Sequence, residues 1–107
     1  MITRTELKNA VSQYTYWDDR SDSPLGIFWV RFGQGQEGEQ IAFLLNVMVA
    51  HYFKRNGVAT ELLDEILKSS DVMMTPSGSD EGGKGLLLKY GFVYDGYVKL
   101  WIFKKGD

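Results

Sequence analysis

The most constraining feature of the sequence is the stretch 43–67, FLLNVMVAHYFKRNGVATELLDEIL. It begins inside an apolar segment, 41–49, whose only polar side chain is Asn46, and this predicts a buried β-strand. Its second half predicts an amphipathic helix over about 57–68, because apolar residues recur every three or four positions. The predicted buried side of that helix consists of Val58, Ala59, Leu62, Leu63, Ile66 and Leu67. A strand followed by such a helix indicates a sheet covered by helices.

The turn between strand and helix, 54–59, reads KRNGVA and places two cations and a glycine at the start of the helix. The first N–H groups of a helix have no partner within it, and the helix dipole is positive at that end. Adjacent cations strengthen the attraction for an anion, so the pattern is typical of a phosphate site. The alternative is an ordinary helix start beside surface cations.

Composition narrows the possible functions. The chain has 107 residues, which fits a single domain over 1–107, and its net charge of -2 gives no basic field for nucleic acid. The absence of cysteine excludes disulfides, thiolate chemistry and cysteine-ligated metals, and one histidine excludes a histidine-rich metal site. The start of the sequence has no long apolar run, and no segment approaches the length of a membrane span. A cytoplasmic location is the resulting expectation.

Before the central stretch, a capping-box pattern at Thr3 and Glu6 predicts a helix over about 4–14. The segment 25–33 predicts a β-strand, with Phe28, Val30 and Phe32 on one face. A glycine-rich turn follows, so the strand 40–49 is expected to return antiparallel. Because that strand is apolar on both faces, it is expected in the middle of a sheet.

After the central helix, 71–75 predicts a short strand that enters the sheet parallel to 40–49. A short helix is predicted over 86–90 and is ended by Gly91. The segments 92–94 and 98–104 then predict a hairpin around an Asp-Gly turn. The summed order α-β-β-α-β-α-β-β indicates a mixed sheet flanked by helices, an α/β (α+β) fold.

Two motifs resemble the Gcn5-related N-acetyltransferase (GNAT) superfamily. The turn KRNGVA at 54–59 is similar to the family's acetyl-CoA motif, Gln/Arg-x-x-Gly-x-Gly/Ala, and the apolar-x-Val end of the preceding strand also matches. Downstream, DEGGKGLLLKYGF at 80–92 resembles a second family pattern that ends in x-Gly-Phe. The resemblance covers about 41–104 and implies a GNAT-like three-layer sandwich with a shortened N-terminal part. Its central sheet would be mixed, mostly antiparallel, and splayed between the strands at 41–49 and 71–75.

This resemblance implies an acetyl-CoA-dependent N-acetyltransferase that moves an acetyl group directly to a primary amine in a ternary complex. The CoA pyrophosphate would lie at the helix start, and the pantetheine would pair with the end of the strand 41–49. The cofactor-binding residues that the resemblance implies are Val47, Met48, Val49, Lys54, Arg55, Asn56, Gly57, Val58, Ala59 and Thr60.

The catalytic residues depart from the family pattern. Leu87 aligns with the tyrosine that often acts as general acid, and Tyr90, one helical turn further on, is the catalytic candidate in its place. The alternative for Tyr90 is packing against the final hairpin. Phe43 aligns with the glutamate that some members use as general base.

The remaining candidates for a base are Glu39, His51 and Asp80, with a water as a possible relay. Asn46 cannot act as a base. It is expected to satisfy a backbone group at an irregularity of the strand.

The expected partner is an amine acceptor, either a small molecule or a protein lysine or N-terminus, and the acidic balance favours a cationic one. No nucleic-acid or membrane partner is expected. The alternative function is a catalytically reduced module that binds CoA or a protein without turnover. An exposed aromatic face around Trp17, Trp29 and Trp101 would then serve a partner or a homodimer.

Overall fold

The structure is a computed structural model that describes residues 1–20, 23–49, 57–76 and 81–106, with the side chains of 81–83 excepted. The described elements are seven strands, two α-helices and one short 3₁₀ turn at Lys8–Ala10. In chain order the strands and helices are β1 (Ile2–Glu6), β2 (Val11–Trp17), β3 (Pro24–Gln34), β4 (Gln40–Val49), α1 (Val58–Leu67), β5 (Val72–Thr75), α2 (Glu81–Tyr90), β6 (Val93–Asp95) and β7 (Leu100–Lys104).

The seven strands form one sheet in the order β1-β2-β3-β4-β5-β7-β6. Strands β4 and β5 pair in parallel, and the other neighbours pair antiparallel. The crossover between β4 and β5 contains α1, as parallel neighbours require a long connection. The predicted mixed, mostly antiparallel sheet is thereby confirmed.

One face of the sheet, which we call the helix face, carries the core. Its members Phe28, Val30, Leu44 and Met73 are 0–1% exposed. Helix α1 lies directly on this face at Gly26, where an added Cβ would stand 3.0 Å from Val58 Cγ1 and 3.1 Å from Leu62 Cδ1. A larger residue at this position would therefore crowd α1, and glycine allows the close approach of the helix to β3.

Helix α2 lies on the same face, beside α1. The Tyr90 hydroxyl donates a hydrogen bond to Asp64 of α1, and the Tyr90 ring packs on Phe103, which pairs with the core residue Met73. The fold class is therefore as predicted, but in the described ranges only two of the three expected layers are formed. The opposite side of the sheet, which we call the open face, includes Trp29, Phe43, Met48, Met74 and Ile102.

The predicted N-terminal helix over 4–14 is wrong. Residues 2–17 form the hairpin of β1 and β2, joined by a turn in which Asn9 and Ala10 have φ values of 63° and 60°. The helical spacing was coincidental, because Leu7 is 42% exposed whereas Ser12 and Tyr14, two positions apart, are buried. Strand β2 pairs along its whole length with β3, and this tertiary pairing outweighs the weak helical pattern. The element order accordingly begins with four strands.

The later elements follow the predictions closely. Strand β4 has the predicted bounds, and α2 begins five residues earlier than predicted, at Glu81. Gly91 ends α2 with a φ of 117°, and β6 and β7 form the predicted hairpin. Both α-helices in the described ranges have ten residues, and neither is long and apolar enough to cross a membrane.

Candidate functional site: the gap between β4 and β5

The sheet splays open beside the second half of β4. Strand β4 pairs with β3 from Gln40 to Val49, but β5 pairs with it only from Ile41 to Phe43. From Leu44 onward, none of the described strands pairs with the edge of β4 that faces β5. The predicted splay between these two strands is confirmed.

A β-bulge decides which backbone groups of β4 face this gap. Gln40 directs its backbone N–H and C=O toward Asp71, the residue directly before β5. The Gln40 N–H donates to Asp71 Oδ2 at 2.9 Å, and the Gln40 C=O accepts the Asp71 N–H at 2.8 Å. Alternate residues of an antiparallel strand point the same way, so Leu44 also faces β5. The pairing with β3 then shifts by one residue at Leu45. Beyond this bulge, Val47 and Val49 are the residues whose N–H and C=O groups face the gap.

Asn46 lies at this irregularity, as predicted. Its side-chain Oδ1 accepts a hydrogen bond from the N–H of Val47 at 2.8 Å. The expectation that Asn46 satisfies a backbone group is therefore confirmed. The consequence is that a donor on the gap side of β4 already has an acceptor from its own chain.

The start of α1 provides the second half of the site. Gly57 is the N-cap residue with a φ of 78°, and no side chain of the described residues caps the helix. The N–H of Glu61 makes the first helical bond, to Gly57 O at 2.9 Å, so the N–H groups of Val58, Ala59 and Thr60 have no acceptor within the helix.

The first turn of α1 contains one carboxylate, Glu61, which lies near Tyr16 of β2. The Glu61 side chain accepts a hydrogen bond from the Tyr16 hydroxyl, and this bond raises the pKa of Tyr16. The positive end of the helix dipole lies at these N–H groups and attracts anions.

The gap edge and the helix start meet at Gly26. This glycine pairs with Val49 across β3 and β4, and it is also the point on which Val58 packs. The structure therefore brings together two predicted groups of cofactor-binding residues, 47–49 and 57–60. The predicted Lys54, Arg55 and Asn56 lie outside the described residues.

Tyr90 lies on the helix face, and its hydrogen bond and ring contacts are with residues outside β4. Its hydroxyl donates to Asp64 Oδ1 at 2.7 Å, and its ring packs on Phe92 and Phe103 at centroid distances of 5.8 and 5.1 Å. Burial, together with the bond to Asp64, raises the pKa of Tyr90, which makes it a weaker proton donor. These contacts agree with the packing alternative, and the catalytic role of Tyr90 stays a prediction.

The positions related to a general base are scattered. Phe43 is 37% exposed on the open face, opposite Met74. Glu39 lies at the turn between β3 and β4, where its C=O accepts the Gly35 N–H, and this is the far end of β4 from Val49. His51 and Asp80 lie outside the described residues. Leu87, which aligns with the family's acid, is buried in the core.

Two polar partners in this region were missed by the sequence reasoning. Asp64 holds the Tyr90 hydroxyl, and Tyr16 holds Glu61. Each pair joins residues far apart in the chain, so no local pattern could have indicated it. The bulge at Leu45 did have a signal, which is the single polar residue Asn46 inside an apolar strand.

Comparison with known proteins gives matches in structure but not in sequence. No protein-family model matches the chain, and no curated protein matches it. Among solved structures, NAA60 of Arabidopsis thaliana in complex with a bisubstrate analogue matches with a TM-score of 0.73 at 12% identity, covering 92% of this chain and 78% of that one. YhhK from E. coli bound to coenzyme A matches with a TM-score of 0.70 at 15% identity, covering 92% and 74%.

The NatC complex bound to Gag peptide and CoA also matches, with a TM-score of 0.68 at 15% identity, covering 88% of this chain and 71% of that one. At sequence identities this low, the structural similarity shows the fold alone. The chain has the fold of the GNAT superfamily of acetyltransferases.

Proposed function

We propose that this protein is an acetyl-CoA-dependent N-acetyltransferase that acetylates a primary amine. The observation that carries the proposal is the edge of β4 beyond Phe43, which has no β5 partner and ends beside the uncapped start of α1. Such an edge suits a ligand that has amide groups at one end and phosphates at the other. Two of the three similar structures described above are bound to CoA, a ligand of this kind.

In the proposed complex, the pyrophosphate lies at the N–H groups of Val58, Ala59 and Thr60, with Gly57 allowing a close approach. Lys54, Arg55 and Asn56 of the preceding turn complete this anion site, as their place in the sequence motif suggests. The pantetheine follows Val47, Met48 and Val49 toward the bulge. A single domain and a cytoplasmic location, both expected from the sequence, are part of the proposal.

The proposed reaction is a direct transfer without a covalent enzyme intermediate. The nitrogen of a neutral amine attacks the thioester carbonyl carbon, and a backbone N–H of β4 stabilises the developing negative charge on the carbonyl oxygen. The C–S bond then breaks, the amine loses one proton, and the CoA thiolate gains one. The products are an N-acetyl amide and CoA. Tyr90 is the candidate donor for the thiolate, after release from Asp64.

The acceptor is proposed to be a small amine or a protein lysine or N-terminus. The open face supports a large acceptor, because no helix in the described ranges encloses that side of the gap. Its exposed members are apolar, with Phe43 at 37% and Met48 at 50% exposure. These side chains would contact the part of the acceptor beside the reacting amine.

The test is release of free thiol from acetyl-CoA in the presence of an amine panel that includes protein lysines. The double variant Lys54→Glu with Arg55→Glu should bind CoA at least about tenfold more weakly, because attraction is replaced by repulsion. Lys8→Glu with Lys104→Glu changes the net charge equally at exposed sites away from the start of α1, and it should bind normally. Equal affinity in both double variants would contradict the proposed anion site.

A second candidate is a binding module that holds CoA or a protein partner without turnover. The hydrogen bond that ties Tyr90 to Asp64 and the exposed apolar side chains of the open face favour it. CoA binding with no thiol release on any amine would support this candidate over the enzyme. A homodimer formed through the open face would be detected as a doubled mass in solution.

A further inference from the structure

The hydrogen bond from the Val47 N–H to Asn46 Oδ1 occupies a backbone donor that faces the gap. Strand β4 presents its Val47 N–H to the gap, and the oxygen that accepts this N–H is the amide side chain of the preceding residue. Both residues are exposed, so the bond is not enforced by surrounding packing. A side chain held only by this bond can rotate away when a better acceptor arrives.

The direction of the Val47 N–H follows from the register between β3 and β4, independently of its bond to the Asn46 side chain. Gln40 faces β5 through both of its backbone groups. Before the bulge at Leu45, the even-numbered residues of β4 face β5, and after it the odd-numbered residues do. Val47 is opposite Phe28 in the pairing with β3. Its N–H points away from that partner, into the space where β5 no longer pairs.

A ligand that adds to this edge as an extra strand would need the same donor. Its carbonyl oxygen would occupy the position that Asn46 Oδ1 now holds, 2.8 Å from the Val47 nitrogen. Two acceptors cannot both make a linear hydrogen bond with one N–H. The side chain and the ligand carbonyl therefore compete.

Building on the proposed function, we infer that the Asn46 side chain is a built-in competitor for the carbonyl of acyl-pantetheine at the Val47 N–H, and that it lowers the affinity of the gap for acetyl-CoA. Asn46 is in this sense a positioning residue, since it acts through the backbone of Val47. On ligand binding, the Val47 N–H exchanges its acceptor, Asn46 Oδ1, for the ligand carbonyl. The Asn46 amide is then released to solvent on the open face.

Removal of the competitor should strengthen binding. In Asn46→Ala, the Val47 N–H is left to water, and acetyl-CoA should bind about three- to tenfold more tightly, the range that corresponds to the net value of one hydrogen bond. Asn46→Asp keeps the shape but offers a charged acceptor, whose bond is roughly twice as strong. That variant should bind acetyl-CoA more weakly than the wild type.

The experiment is calorimetric titration of the wild type and both variants with acetyl-CoA and with 3′,5′-ADP, the nucleotide end of CoA. The nucleotide reaches the start of α1 but not Val47, so its affinity should be the same in Asn46→Ala and the wild type. A tighter Kd for acetyl-CoA alone supports the inference. Equal or weaker acetyl-CoA binding by Asn46→Ala, or a parallel shift for both ligands, would overturn it.

The outcomes separate the inference from the proposed function. A wild type that binds neither ligand overturns the proposed function, and the inference falls with it. A wild type that binds both, with unchanged acetyl-CoA affinity in Asn46→Ala, overturns the inference alone. Hydrogen exchange of the Val47 amide without ligand adds a direct readout, because Asn46→Ala should accelerate it, and an unchanged rate would show that the bond does not form.

Discussion

The helix face and the open face of the sheet are built from similar side chains but have different surroundings. Leu44 is 1% exposed on the helix face, whereas Phe43, the preceding residue of β4, is 37% exposed on the open face. An apolar strand was expected to be covered on both sides. In the described ranges the helices cover only one side of the sheet. The exposed apolar side chains on the other side can therefore contact a ligand or partner.

The largest expected effect separates two adjacent leucines. Leu44→Ala should lower the free energy of unfolding by about 2–5 kcal/mol, because it leaves a cavity under α1. Leu45→Ala should lower it by less than about 1 kcal/mol, since Leu45 lies in the bulge with 43% exposure. Urea denaturation of the two variants measures both values. Similar losses would show that the open face is packed as tightly as the helix face.

Two glycines of β3 allow the helix face and the open face to be compared by adding one methyl group to each. Gly26→Ala should destabilise by about 1–3 kcal/mol, because the new Cβ would meet Val58 and Leu62 at 3.0 and 3.1 Å. Gly33→Ala should be neutral or stabilising by up to about 1 kcal/mol, since its Cβ would meet Phe43 at an ordinary 3.6 Å. Thermal unfolding compares them. A stable Gly26→Ala protein would mean that α1 does not rest on β3 at this point.

The smallest expected effect concerns the polar contact between the two helices. Tyr90→Phe removes the bond to Asp64 and should cost about 1 kcal/mol at neutral pH. Because folding raises the pKa of Tyr90, the contribution of this group is present below its unfolded pKa of about 10 and is lost as the pH rises further. The stability difference between wild type and variant should therefore shrink in alkaline urea titrations.

The same variant tests catalysis. Turnover reduced by about 100-fold or more, the low end of the usual contribution of an acid catalyst, would support Tyr90 as the proton donor. Unchanged turnover with reduced stability would leave Tyr90 as a packing residue of the helix face. Phe92→Leu is a suitable control, because it alters the same aromatic cluster but leaves the hydroxyl in place.

The sequence predicted β4, α1, β5 and the final hairpin because each has a strong local signal, such as the apolar run 41–49 or the Asp-Gly turn. It failed at 2–17, where helical spacing of Leu7, Ala10 and Tyr14 suggested a helix that the pairing with β3 overrules. Asn46 could be assigned to an irregularity from its polarity alone. Its partner could not, since the direction of the Val47 N–H depends on the register between β3 and β4.

The bulge at Leu45 also affects how the edge of β4 behaves toward other polypeptides. Across the bulge, the successive residues that face the gap are Leu44 and Val47, three residues apart, whereas a regular strand repeats its outward groups every two residues. An extended peptide in register with one of these residues is therefore out of register with the other. The bulge therefore disfavours regular strand addition by a second molecule along this edge, as bulges at sheet edges generally do.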